Sequence, residues 1–203
     1  MRLLQGPSLT WLNLVLLPAA TLLAIAQFGM NHETIATGLH ITARITLFYF
    51  LLAFSASALV RLTSGTLAKA LMRNRRYIGL SAAISHGVHL GLIFCYFLVI
   101  HPNVFNVSDA AGGIVVYIAL LIMTLSSNNT SVHIVGAKQW KRFHKLGMYL
   151  VFIAFMLRMT EGAMIDPVKY SPFVLLLLAA YLLRVAAWKK QRTARTDNRV
   201  TAS

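Results

Sequence analysis

A single cysteine, Cys95, lies inside an apolar run, so the chain can form no intrachain disulfide and carries no C-x-x-C metal or redox motif. Charge is scarce too: Asp, Glu, Lys and Arg make up 12% of the residues, while 58% are hydrophobic and the mean hydropathy is +0.68. A soluble domain could not cover itself with so little polar surface, and a membrane is the natural solvent. There is no G-x-G-x-x-G fingerprint, no P-loop and no stretch left over for a flavin or nicotinamide domain, so the chain cannot itself oxidise NAD(P)H. Acids are the scarcer charge, five against nineteen Lys and Arg, and the formal net charge is +14. In a soluble protein that imbalance would point to nucleic acid. Here nearly every basic residue falls between or beyond the apolar runs, where it reads as a topology determinant or an anionic-lipid contact, with no nucleic-acid partner implied.

What is present is a series of long apolar runs. At about 20 residues per span, the 203 residues accommodate about six helices and no soluble catalytic domain. The predicted fold class is an all-α membrane protein, a six-transmembrane-helix bundle over 1–190. Its spans run near Ser8–Phe28, Ile45–Leu62, Tyr77–Ile100, Gly113–Leu125, Phe143–Thr160 and Pro172–Trp188. The fourth is short and ends in the polar run SSNNTS. The first run reads as a retained span. The basic residues cluster on one side: Arg2; the stretch from Arg61 through Lys69 to Arg76; Lys138 to Lys145; and Arg184 to Arg199. Only Arg44, Arg158 and Lys169 fall opposite. Lys and Arg in short loops stay cytoplasmic, so both termini are expected there. Four of the five acids, Glu33, Asp109, Glu161 and Asp166, fall on the far side. The basic segment 191–203 is too polar to bury a core and reads as a disordered cytoplasmic tail. Glycan-acceptor patterns occur at Asn106, Asn128 and Asn129, and such short matches are common by chance.

Seven histidines are the chemistry-bearing residues. His32, His40 and His101 are expected at the outer face and His133 in a cytoplasmic loop, all as ordinary solvated groups. His86 and His89 differ, because they sit in the body of the third span, within LSAAISHGVHLGLIF, where a polar side chain needs a partner. Three residues apart, they share a helix face. Counted from Tyr77, helical rise puts them roughly 14 and 18 Å along, near mid-membrane. His144 opens the fifth span, which runs parallel to the third. Two parallel helices that each offer an imidazole can clamp a planar haem through both axial positions, an arrangement suited to electron transfer. The alternative is that these histidines only hydrogen-bond between helices. Arg44 and Arg158 stand against the charge bias near the outer ends of spans two and five. Each is a candidate for a haem propionate or for pairing with Glu33 or Glu161.

Several segments in order resemble the ferric-reductase-like transmembrane family, nearest to the haem-binding subunits of bacterial periplasmic methionine-sulfoxide reductase systems. They are T-A-R at Thr42–Arg44, R-R-Y-I-G-L at Arg75–Leu80, H-L at His89–Leu90 and W-K-R-F-H-K-L-G-M-Y at Trp140–Tyr149. The resemblance implies a b-type cytochrome domain of a bacterial inner membrane, with His89 and His144 as axial ligands of the haem iron. Where the family commonly has a second fifth-helix histidine, this chain has Leu157. That departure favours one haem b over two. His144 lies near one end of its helix and His89 near mid-membrane, a mismatch of roughly 10–15 Å. Three arrangements therefore stay open: His89 with His144, His86 with His144, or weaker sites using Met156 or Met159. FMN or quinone is compatible with such a protein but no motif indicates either.

With no nicotinamide or flavin domain, a haem protein of this kind takes electrons from a separate donor, a flavoprotein or quinol, and passes them to an outward-facing acceptor. The chain would then be the electron-transfer subunit of an oxidoreductase system. The rival reading is a cofactor-free membrane scaffold or assembly protein. A small transporter ranks below both, because no paired Gly/Pro-broken helices mark a transport site.

Overall fold

The structure is a computed structural model that describes the backbone over 6–102 and 107–200, and side chains over 6–102 and 111–194. Arg2, Asn106, the side chain of Asp109 and residues 201–203 lie outside the described residues. Among the described residues the chain is all-helical: α1 (Pro7–Phe28), α2 (His32–Thr63), α3 (Thr66–Phe94) running on as a π-helical segment (Cys95–Ile100), α4 (Val107–Leu125), α5 (Asn129–Val135), α6 (Ala137–Ile165) and α7 (Pro167–Val200).

Local chemistry sets the breaks. Pro7 starts α1, where its missing N–H costs nothing, and Gly29 ends it at φ 83°. Asn31 caps α2 by accepting from the Thr34 N–H at 2.9 Å. Asn128 caps α5 by accepting from the Ser131 N–H at 2.7 Å, and Gly136 closes that helix at φ 82°. Asp166 caps α7, whose first residue is Pro167.

Among the described residues five helices are long and apolar enough to cross a membrane: α1, α2, α3 with its π segment, α6, and α7 over Pro167–Ala194. Ala111–Leu125 and Asn129–Val135 meet at 99°, and this bent pair makes a sixth crossing if counted as one span. The helices overrun the predicted spans. The second begins at His32, not Ile45, because polar Glu33, His40 and Arg44 lower its hydropathy without breaking it. Its 32 residues reach about 48 Å, longer than the roughly 30 Å hydrocarbon core. The last helix does not stop at Gln191, where composition predicts disorder, but runs to Val200. Nothing after Pro172 interrupts it, and Lys, Gln, Arg and Ala are good helix formers.

Burial is inverted relative to a water-soluble protein. Trp11, Leu22 and Leu23 are about two-thirds exposed on α1, whereas Ser81 and Ser85 are fully buried. Large apolar faces turned outward with small polar groups inside are what a lipid-solvated helix bundle requires, and the chain is a multi-pass membrane protein.

The helices gather into two compact units. The first (1–50 and 76–154) is built on a polar seam. Tyr49 donates to Asn13 Oδ1 at 3.0 Å, and Asn13 reaches Ser81 Oγ at 3.4 Å. Ser85 donates to the Thr42 carbonyl at 3.2 Å and lies 3.0 Å from Thr46 Oγ1. The α2–α3 approach is close: a Cβ on Gly38 would sit 3.0 Å from Leu92 Cδ1.

The second unit (51–75 and 155–203) buries Phe54, Phe155, Met159 and Leu177 with small residues such as Ala56. Two arginines bond α2 carbonyls there: Arg75 Nε donates to Ala53 at 2.9 Å, and Arg184 donates to Phe54 at 2.8 Å. Arg184 also lies 4.3 Å over the Phe54 ring. Arg184→Lys keeps the charge and loses this flat contact, so stability is expected to fall by about 1 kcal/mol, read as a lower midpoint in thermal unfolding.

Candidate functional site

The third helix presents its two histidines to different neighbours. His86 stacks on Tyr117 of α4, with centroids 4.4 Å apart, and on His89, with centroids 5.4 Å apart. The three rings form a near-parallel pile at 12° and 21°. His89 turns its Nδ1 to Thr42 Oγ1 of α2 at 2.9 Å. The Thr42 hydroxyl has one proton and lies 2.8 Å from the Gly38 carbonyl, which can only accept. The Thr42 hydroxyl thus stands between the Gly38 carbonyl and His89 Nδ1. A ring nitrogen held by a neighbouring oxygen is how a metal-ligating imidazole is commonly oriented.

His144 is tied elsewhere. Its ring stacks on Trp140 at 3.9 Å, and its Nε2 lies 3.0 Å from Ser126 Oγ, just past the end of α4. Ser126 Oγ also lies 2.7 Å from the Ile122 carbonyl. Trp140 Nε1 donates to the Ser126 carbonyl at 2.8 Å and locks the corner.

The two histidine sites are separated along α4. Tyr117, against His86, and Ser126, against His144, are roughly 13 Å apart by helical rise. A metal–imidazole bond is about 2 Å, so two axial nitrogens lie roughly 4 Å apart. As these rings stand, His86 and His144 do not converge on one iron. Among the described residues no group of three or more His, Cys, Asp or Glu forms a metal cluster. On α3 His89 has the oriented setting of a metal-ligating imidazole, whereas on α6 the His144 Nε2 is engaged by Ser126.

The arginines are less central. Arg44 is exposed on α2, about 200° around the helix from Thr42 and hence off the His89 face. Arg158 is exposed and lies 3.4 Å from Glu161, one of the pairings its position allowed. Arg76 reaches Asn129 Oδ1 at 3.4 Å. In the second unit Met159 is buried and Met156 half-buried.

Thr42, Tyr117, Ser126 and Trp140 are the partners that sequence reasoning gave no role. Tyr117 had a signal: its hydroxyl in the apolar run GIVVYIALLIMTL is as conspicuous as His86, and it is buried with no hydrogen-bond partner among the described residues. A cavity of about 580 Å³ lined by α1 and α2 reaches Thr42 and Leu92.

No family model matches the chain, and no curated protein or solved structure shows significant similarity to it. The ferric-reductase-like resemblance rests on its four short segments alone.

Proposed function

We propose that this chain is a b-type haem electron-transfer protein of a bacterial inner membrane, with six spans and cytoplasmic termini. It would carry electrons from a separate flavoprotein or quinol donor to an outward-facing acceptor. The observation that carries this reading is His89, an imidazole in the body of an apolar helix whose Nδ1 lies 2.9 Å from the Thr42 hydroxyl, the kind of contact that orients a metal-ligating imidazole. Bound haem supplies a one-electron couple with no vacant site for substrate. The chain's own residues set the potential through ligand identity and burial. His144 is the second ligand by resemblance, and to serve it must release Ser126 and swing toward α3; on α3, His86 is the alternative to His89. Arg44 and Arg158 remain propionate candidates, and Arg158 would have to leave Glu161.

One observation favours a second reading, a cofactor-free scaffold: both His89 and His144 already have protein partners, as packing histidines do. One experiment separates the two. The protein is expressed with ample haem, purified in detergent and measured in oxidised and dithionite-reduced forms. The expected result is a Soret band and reduced b-type bands. If neither appears, the scaffold reading replaces the cytochrome.

A further inference from the structure

The structure holds a second histidine pair, away from His89 and His144. His32 is the first residue of α2 and His101 comes directly after the π-helical segment at the end of α3. These are the ends of the two helices opposite their basic ends, which carry Arg61 and Lys69. His32 Nδ1 lies 2.9 Å from His101 Nε2.

Both residues are fixed by their surroundings. Asn31 pins the start of α2: its Oδ1 accepts from the Thr34 N–H and its Nδ2 donates to the Phe28 carbonyl, each at 2.9 Å. On the other side, the His101 N–H bonds the Tyr96 carbonyl at 2.8 Å, closing the π-helical turn. A π segment adds a residue to the turn and so rotates the next residues by about 100° relative to a continuous α-helix. Here it aims His101 at His32. The Tyr96 ring packs against both imidazoles, with centroids 5.5 Å from His32 and 4.8 Å from His101. His32 is exposed and His101 half-buried, so the pair is reachable from solution.

We infer that His32 and His101 form an open binding site for a first-row divalent transition ion of the Zn²⁺ or Cu²⁺ class. The geometry is nearly that of a metal chelate. With metal–nitrogen bonds of about 2.0–2.1 Å and a tetrahedral angle, two ligating nitrogens stand roughly 3.3 Å apart. The observed separation of 2.9 Å therefore needs to widen by only a few tenths of an ångström as the ion displaces the shared proton. Imidazole selects Cu²⁺, Ni²⁺ and Zn²⁺ and discriminates against Ca²⁺ and Mg²⁺, which want oxygen. No third protein ligand converges among the described residues, so water completes the shell and the ion exchanges readily. The ion would also bridge α2 to the end of α3.

The test uses the full chain in detergent without a polyhistidine tag, titrated with Zn²⁺ alone in excess Mg²⁺ and followed by calorimetry. One ion per chain is expected. His32→Gln and His101→Gln, which keep a hydrogen-bonding side chain but remove the imidazole, should each weaken binding at least about tenfold, because a lone imidazole remains. His133→Gln, at an exposed histidine on α5, should not change it. Thermal unfolding of the zinc-free variants confirms that they fold. Stoichiometric binding that survives either His32→Gln or His101→Gln overturns the inference, as does the lack of binding by the unaltered chain. The readout is independent of haem, so failure of the cytochrome reading leaves this site standing and the reverse holds too.

Discussion

His89→Ala is expected to abolish the reduced b-type spectrum, while His86→Ala retains it. The two side chains stack on each other, yet only His89 has its Nδ1 against a hydroxyl oxygen able to accept a hydrogen bond, contributed by Thr42. Thr42→Val removes that acceptor without changing the shape of the site. Loss of such a supporting group typically weakens metal binding by about ten- to a hundredfold. Haem content per chain in Thr42→Val should therefore fall between that of the unaltered protein and that of His89→Ala. His144→Ala should lose haem as well, and Ser126→Ala should not, since freeing Nε2 of His144 makes it a better ligand. If His89→Ala keeps its haem and His86→Ala loses it, the ligand on α3 is His86 and the residue match drawn from the family resemblance is wrong. If all of these variants match the unaltered chain, the histidines are packing groups.

The apolar runs made the helical class legible, because about twenty residues without charge have few alternatives to a membrane helix. They did not mark where helices end. Glu33, His40 and Arg44 interrupt hydropathy but not helix, so α2 starts at its Asn31 cap and not at Ile45. The polar run SSNNTS was visible as an interruption. That Asn128 would cap a new helix at 99° to α4 was not, because a cap and a continuing polar turn have the same composition. His86 and His89 were legible as functional candidates from one fact, a polar ring in an apolar helix. Their partners were not legible, since Thr42, Tyr117 and Ser126 come from other helices and depend on register between them. The same dependence explains His32 and His101. Each alone reads as a solvated histidine, and only the fold places their nitrogens within 2.9 Å.

That register is itself testable at Ser85. Gly38 lies against Leu92, Thr42 meets His89, and Thr46 meets Ser85, so α2 and α3 run antiparallel in a fixed alignment with Ser85 fully buried between them. Ser85→Ala loses a hydroxyl that donates to the Thr42 carbonyl. Interhelical hydrogen bonds in membrane proteins average about 0.6 kcal/mol, so a small fall in the unfolding midpoint is expected. Ser85→Leu loses the same bond and forces a branched side chain into a closely packed seam, at an overpacking cost of about 1–3 kcal/mol. It should lower the midpoint several times as far as Ser85→Ala and reduce the yield of folded protein. Ser85 lies one helical turn before His89, so spreading α2 from α3 there also pulls Thr42 off the His89 ring. In a haem-loaded preparation Ser85→Leu should therefore lose the b-type spectrum in the fraction that folds, and Ser85→Ala should keep it. Equal midpoints for the two variants would mean that α2 and α3 do not meet at this residue, and the Thr42–His89 bond on which the ligand assignment depends would fall with that contact.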